Sequence, residues 1–432
     1  MRWILAAVVV LGASVWEATS QCLTDEDRIK ILGVNQELNE VVDFGLELYK
    51  ELELGQATSY LATGRNLFFS PYSVWSALVL AYFGSGGTTE AELQKALGVV
   101  DKINILTKMR ALELTYDLRR STGSSYIFNV ANRFYIDAAS PVRKCVKNIL
   151  FKEIAETDFR NTFVAANDIN EFVSETTQGN IPRLLEESDL RDAQMVLVNA
   201  AFFKGIWKYS FLSNDTFLAP FRADPSLSFQ GGAGTPPNGT GMVSMMNQTA
   251  SFKYADSKDL EAQLLELPYE GGAMSMFLML PNEEGRSGFA RTVASFSSAA
   301  LSKAMRTMKP ETVNLQLPRF NMSVELIDEL EAALKNLGIR NVFDPEHADF
   351  SAFAPTPRMS VSKTVHKAFI EVNEEGSEAA AATVLAVNIR TRPKPPLSFV
   401  CDRPFIFFIY DNDTENILFL GVFRNHKEAL DY

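Results

Sequence analysis

Acid–base and nucleophilic chemistry runs through few side-chain types, and this chain is short of the most versatile one. It holds three histidines, His347, His366 and His426. A triad hydrolase needs an imidazole within reach of a hydroxyl or thiol and a carboxylate. His366 falls inside a strand-like run, and the other two sit in polar, turn-like sequence, so none is well placed as a general base. The chain contains no GxSxG elbow, HExxH, CxxC, Walker phosphate loop or GxGxxG. The expectation is a protein that is not an enzyme and that needs no metal and no cofactor. What remains is chemistry done to the chain. Arg390, Arg392 and Lys394 lie in a loop-like run, and such cations suit the Asp-bottomed pocket of a trypsin-like protease. Arg392 and Lys394 each precede proline, whose ring hinders attack at that bond, whereas Arg390 precedes Thr391. The bland alternative is that these cations keep a loop soluble. Sequons begin at Asn214, Asn238, Asn247, Asn321 and Asn412, each expected on a surface loop if the chain is secreted. Asn238, after the turn-rich Gly231 to Pro237, and Asn412, in a polar gap between two apolar runs, are the favoured ones.

The element that would position the basic loop is the strand pattern from Ser360 to Val372, followed by Glu374 to Thr383, EEGSEAAAAT. Alanine favours helix, and Glu374, Glu375 and Glu378 would suit a helix N-terminus, so a short solvated helix is one reading. Read as a strand, the same run sends Ser377, Ala379, Ala381, Thr383, Leu385 and Val387 to one face and its only charge, Glu378, to the other. A strand forced between two packed strands needs small inward residues at its leading end, because interiors hold little free volume. Gly376 supplies hinge dihedrals ahead of it. From Gly376 to Arg390 an extended chain covers about 45 Å at roughly 3.3 Å per residue. Upstream, Leu38 to Leu52 repeats at helical spacing, Ser70 with Pro71 opens a second helix ending at Gly84, and Thr89 with Glu92 reads as a capping box for a third ending near Gly98. Strand signals follow at Tyr126, Val196, Met274 and Val313, giving an α+β fold.

Ser360 to Thr383, SVSKTVHKAFIEVNEEGSEAAAAT, resembles the strand, hinge and proximal loop of the serpin family. NLFFSPYSVWSALVLAYFGSGGTTEAELQKALG from Asn66, INEFVSETTQGNIPRLL from Ile169, MVLVNAAFFKGIWKYSF from Met195, LKNLGIRNVFDPEHADFS from Leu334 and DRPFIFFIY from Asp402 are similar to further family blocks, in family order from about residue 35 to 425. The resemblance implies three β-sheets, about nine helices and an exposed reactive-centre loop near 376–398. It also implies a hinge of Glu375, Gly376, Ser377, Glu378, Ala379, Ala380, Ala381, Ala382 and Thr383. Ser70, Ser73, Asn199 and His366 match the polar shutter beneath the main sheet, and Trp207 matches the tryptophan at its breach. Counting from Gly376 as the family does puts the scissile bond after Arg390. The implied mechanism is acyl-enzyme trapping: a protease cleaves the loop, which enters the main sheet as a new strand. Loop insertion with release of stored strain is part of what the resemblance implies. A non-inhibitory carrier, storage or chaperone role is the alternative. Such members often carry bulky, charged or proline residues in the proximal hinge, and this chain does not.

Met1 to Ser20, with an apolar run too short to span a bilayer and small residues before Gln21, reads as a signal peptide, so the mature chain is expected outside the cell and without a membrane anchor. At 432 residues the chain could hold two or three domains, yet no linker or repeat divides it, and 21–432 is expected as one domain and a monomer. A net charge of −12 argues against a nucleic-acid partner. Lys102, Lys108, Arg110, Arg119, Arg120, Arg143, Lys144 and Lys147 lie where some family members bind sulfated polysaccharides, but interleaved Asp101, Glu113 and Asp117 favour an ordinary solvated face. Cys22, Cys145 and Cys401 permit one internal bridge at most.

Overall fold

The computed structural model describes residues 39–427 apart from 56–58, 122, 124, 224–239, 356–358 and 376–394. The proposed signal peptide, Cys22 and Asn238 lie outside these residues. Helices α1 (Asn39–Leu54), α2 (Tyr60–Thr63), α3 (Pro71–Gly84), α4 (Gly87–Leu97) and α5 (Lys102–Ser121) come first. Strands β1 (Leu67–Phe69), β2 (Tyr126–Asp137), β3 (Ile154–Thr157), β4 (Met195–Gly205), β5 (Phe217–Arg222), β6 (Thr240–Ser257), β7 (Ala262–Pro268) and β8 (Met274–Pro281) alternate with α6 (Lys144–Ile149) and α7 (Thr162–Thr176). The chain then runs through α8 (Gly285–Ser295), α9 (Ser298–Thr307), β9 (Lys309–Pro318), β10 (Phe320–Leu326), α10 (Asp328–Asn336), β11 (Lys363–Val372), β12 (Leu397–Val400), β13 (Phe405–Asp411) and β14 (Asn416–Phe423). This is the expected α+β architecture, with ten α-helices among the described residues.

The strands form two hydrogen-bonded networks, of nine and five strands, where three sheets were expected. The reason is β6. Its first residues pair with β5, its middle with β9 and its end, Lys253–Ser257, with β7, so one long strand joins two sheets into a single network. The five-stranded sheet has the order β10-β11-β4-β2-β3. Every side chain of α3 is buried, which is how a helix apolar all round must sit. It packs between the sheets, touching β2 and β4 on one side and β14 on the other. The opposite face of the five-stranded sheet is sealed by α7, with Ile169 and Val173 packed in one core with Val198, Phe202 and Val365. Cover on both faces explains the near-continuous apolar run in β4.

Ser70 caps α3 as expected, accepting from the Ser73 amide, with Pro71 in the first turn. The capping box expected at Thr89 is corrected. Helix α4 starts at Gly87, and Thr89 is buried with its hydroxyl accepting from the Asp349 amide at 3.0 Å, so a tertiary contact claims the side chain that a local cap would have used. Glu92 is likewise turned outward from its helix, accepting from the Arg340 and Asn341 amides. Cys145 is disulfide-bonded and Cys401 is a buried free thiol.

Candidate functional site

Within the five-stranded sheet, β11 and β4 lie side by side and parallel, in register from Lys363 opposite Val196 to Ile370 opposite Phe203. The outer neighbours of this pair, β10 and β2, are both antiparallel to it. A strand entering the seam in the reverse direction would therefore make antiparallel ladders on both sides, the slightly more stable pairing per residue.

His366 and Asn199 face each other across this seam, and Asn199 faces Asn132 across the β4–β2 pair. The N-terminus of α3 comes up beneath them. The Ser70 amide donates to His366 Nε2 at 3.0 Å, which leaves Nδ1 to donate to Asn199 Oδ1. Asn199 Nδ2 donates to Ser73 O and Ser73 Oγ at 2.6 and 2.7 Å. Ser73 Oγ donates to Asn132 Oδ1 at 3.0 Å, Asn132 Nδ2 donates to Ser76 Oγ at 2.9 Å, and Ser70 Oγ donates to Leu418 O at 2.6 Å, reaching the other sheet. His366, Asn199, Ser70 and Ser73 are thus brought together in one buried network, in which each buried polar group finds a partner. Burial lowers the His366 pKa to about 3, so the imidazole is neutral at physiological pH. Asn132 and Ser76 were missed by sequence reasoning; the available signal was a polar residue facing inward in an otherwise apolar strand.

Above Ile370 the β11–β4 ladder ends, and scattered tertiary contacts hold the head of the seam instead. Trp207 Nε1 donates to Asn373 O at 2.9 Å, and its ring stacks on Tyr269 at 4.4 Å. The Phe211 amide donates to Glu374 O at 3.0 Å. Glu374 is buried; Thr216 Oγ1 donates to its Oε1 at 2.8 Å, and Arg319 lies 3.8 Å from Oε2. These contacts fasten the point from which the chain leaves β11. Sequence reading singled out Trp207 but not Thr216, Arg319 or the anchoring role of Glu374, because those pairings span 158 and 55 residues of chain and leave no local trace. Glu375 is exposed. Gly376, Ser377, Glu378, Ala379, Ala380, Ala381, Ala382, Thr383, Arg390 and Thr391 lie outside the described residues.

The sequons divide by environment. Asn214 is exposed at the turn before β5. Asn321 contradicts the expectation of a surface loop: it is buried within β10, opposite Glu371 of β11. Asn247 is also in a strand, accepting from Asn314 at 3.1 Å. Asn412 does lie in the turn between β13 and β14, but the nitrogen that would carry a glycan donates inward to Gly272 O and Ser275 Oγ, both at 3.0 Å. Six of the eight basic residues read as a solvated face are ion-paired. Lys102 meets Glu90, Lys108 meets Glu40, Arg110 meets Glu113, Arg119 meets Asp411 and Asp413, Arg120 meets Asp117, and Lys147 meets Glu156. Among the described residues no cluster of His, Cys, Asp and Glu could hold a metal ion, and no helix is long and apolar enough to cross a membrane.

The family model described as Serpin (serine protease inhibitor) matches residues 39–426. The leukocyte elastase inhibitor of Sus scrofa is 35% identical over 390 residues, covering 88% of this chain and 96% of its own. An uncharacterised serpin-like protein of Thermococcus kodakarensis is 34% identical over 401 residues, covering 91% of this chain and 86% of its own. Among solved structures, uncleaved ovalbumin superposes with a TM-score of 0.73 at 26% identity, covering 89% of this chain and 99% of its own.

Proposed function

Since this chain belongs to the serpin family, we propose that it is a secreted inhibitor that traps a trypsin-like serine protease in a covalent one-to-one complex, presenting Arg390–Thr391 as the scissile bond. The protease serine attacks the Arg390 carbonyl, the bond to the Thr391 nitrogen breaks with that nitrogen taking a proton, and an ester joins Arg390 to the protease. The segment downstream of Gly376 then enters the β11–β4 seam and carries the protease with it. The observation that carries this reading is the parallel β11–β4 pair, set between antiparallel neighbours and followed directly by a run of small residues. Ser377 to Val387 contains no proline and no inward-facing charge, which supports insertion over the carrier reading. An exposed Asn214 is compatible with secretion and would be the glycan acceptor favoured among the described sequons.

The leukocyte elastase inhibitor relatives favour a second reading, in which the target has an elastase-type pocket. Such pockets are small, and arginine at position 390 fits them poorly. Incubating the protein with trypsin and with a pancreatic elastase tests the whole reading. A complex resistant to SDS with trypsin, and a mass for the released C-terminal peptide beginning at Thr391, is the expected outcome. Clean loop cleavage without complex would point to the carrier role instead, and a complex formed only with elastase would move the scissile bond.

A further inference from the structure

Arg424, at the end of β14, is 1% exposed and forms an ion pair with the fully buried Glu53 of α1. Its Nη2 alone reaches both Glu53 oxygens, at 2.7 and 2.6 Å, while Nε and Nη1 have no hydrogen-bond partner. A guanidinium carries five N–H donors, and leaving buried ones unmade is costly. Phe289 of α8 packs over this guanidinium, 4.9 Å from its ring centroid. Arg424 and Phe289 form part of the wall of a cavity of about 560 Å³ that also takes in Leu61, Arg222, Arg286 and Arg403. That volume is in the range of small-molecule sites, and this one combines an apolar wall with convergent polar groups.

The charges around the cavity balance in number, but its hydrogen-bond donors are not all used. Its acids are already engaged: Glu284 accepts from Arg222 at 2.9 and 3.1 Å, and Glu283 is held by Arg291. Asp402 is bound by Arg222 at 2.9 Å and sits 3.5 Å from Arg403. Arg403 keeps an unpaired Nε, and Arg286 is exposed and makes no ion pair among the described residues. Among the described residues, Arg222, Arg286, Arg291, Arg403 and Arg424 are matched in number by Glu53, Glu261, Glu283, Glu284 and Asp402, so what the cavity offers an anion is unmade N–H donors and the unpaired guanidinium of Arg286. The first turn of α8, at Gly285 and Arg286, adds backbone N–H groups and the positive end of a helix dipole at the same mouth.

We propose that this cavity binds a small organic anion with an apolar body, such as a medium-chain carboxylate, its charge met by Arg286, Arg403 and the α8 N-terminus and its body lying against Phe289 and Leu61. Arg424, in the wall, adds Nε and Nη1 donors that its ion pair with Glu53 leaves unused. The site lies apart from the β11–β4 seam, so occupancy is independent of inhibition. The test uses the full chain and three probes in calorimetric titration: octanoate, 1-octanol as the uncharged body, and inorganic sulfate as the bare charge. Octanoate is expected to bind with one-to-one stoichiometry, at least tenfold more tightly than either of the others. Arg286→Gln, an exposed change that leaves the core untouched, is expected to weaken octanoate at least fivefold, and Arg424→Met to weaken it further if that variant folds. Absence of octanoate binding at millimolar concentration, equal binding of 1-octanol, or affinity unchanged in Arg286→Gln would each overturn the assignment.

Discussion

His366 is the residue on which the closed seam turns, because its two ring nitrogens join the cap of α3 to β4: Nε2 accepts from the Ser70 amide and Nδ1 donates to Asn199. Replacing it with phenylalanine would leave a buried amide hydrogen and a buried amide oxygen unpaired, a cost of about 2 to 3 kcal/mol. Urea unfolding should show that loss, and the variant should form polymers on mild heating where the parent stays monomeric on a native gel. The same imidazole makes stability pH-dependent in a defined direction. Its folded pKa of about 3 lies below the usual histidine value near 6.5, so the unfolded chain takes up a proton that the folded chain refuses. The stability it contributes is complete above about pH 6.5 and is lost as pH falls through that value toward 3, amounting to about 2 kcal/mol by pH 5. His366→Gln should flatten the pH dependence of the unfolding midpoint between pH 7 and 5; a slope identical to that of the parent would remove His366 from this role. Of these residues, Ser70 was readable locally, since a serine before proline at the head of an apolar run is a helix start. His366 and Asn199 were reached only through family resemblance. Asn132 was not reached at all, because its partners are set by sheet register across 59 and 67 residues of chain.

At the scale of elements, β11 is held to β4 by a backbone ladder only from Lys363 to Ile370; beyond it the β10 ladder continues to Val372, and the end of the strand is tied by Trp207 to Asn373 O and by the Phe211 amide and Thr216 to Glu374. The head should therefore open first, since local opening follows the weakest cooperative unit. Glu374→Ala removes the Thr216 hydrogen bond and the Arg319 ion pair together, for about 1.4 kcal/mol. Amide exchange over residues 368–372 should accelerate about tenfold, while α3, enclosed between the sheets, should exchange as before. Acceleration spread evenly over both elements would mean that Glu374 supports the fold as a whole and not the head of the seam. The strands themselves were legible from apolar runs and alternation, and the helices from their spacing. Their assembly was less so: nothing within Thr240–Ser257 announces that one strand will serve three partners and fuse two sheets. Thr89 misled for a related reason, since a capping signature is local and Asp349, which claims its hydroxyl, is 260 residues away.

For the molecule as a whole, the proposed trap requires that nicking the loop release free energy, and the sheet permits an estimate. The direct β11–β4 ladder covers Lys363 to Ile370, and a strand of Ser377 to Val387 inserted there would replace it with an antiparallel ladder on each side. The net gain is on the order of ten backbone hydrogen bonds, worth roughly 10 kcal/mol at about 1 kcal/mol each. A protein of this length unfolds with an entropy of about 0.9 kcal/mol per kelvin, so the nicked form should melt about 11 °C above the intact one. An ordinary loop cleavage has the opposite effect, because it loosens two chain ends and adds no contacts. Replacing Ala381, which strand alternation would turn inward on insertion, with aspartate separates the two cases. A buried, unpaired carboxylate opposes insertion, so the nicked variant should melt no higher than its intact form and should be turned over by trypsin without forming a lasting complex. Were the parent also to show no rise on nicking, the parallel seam would be a structural feature of the sheet and not a vacant lane for the loop, and inhibition by insertion would fall with it.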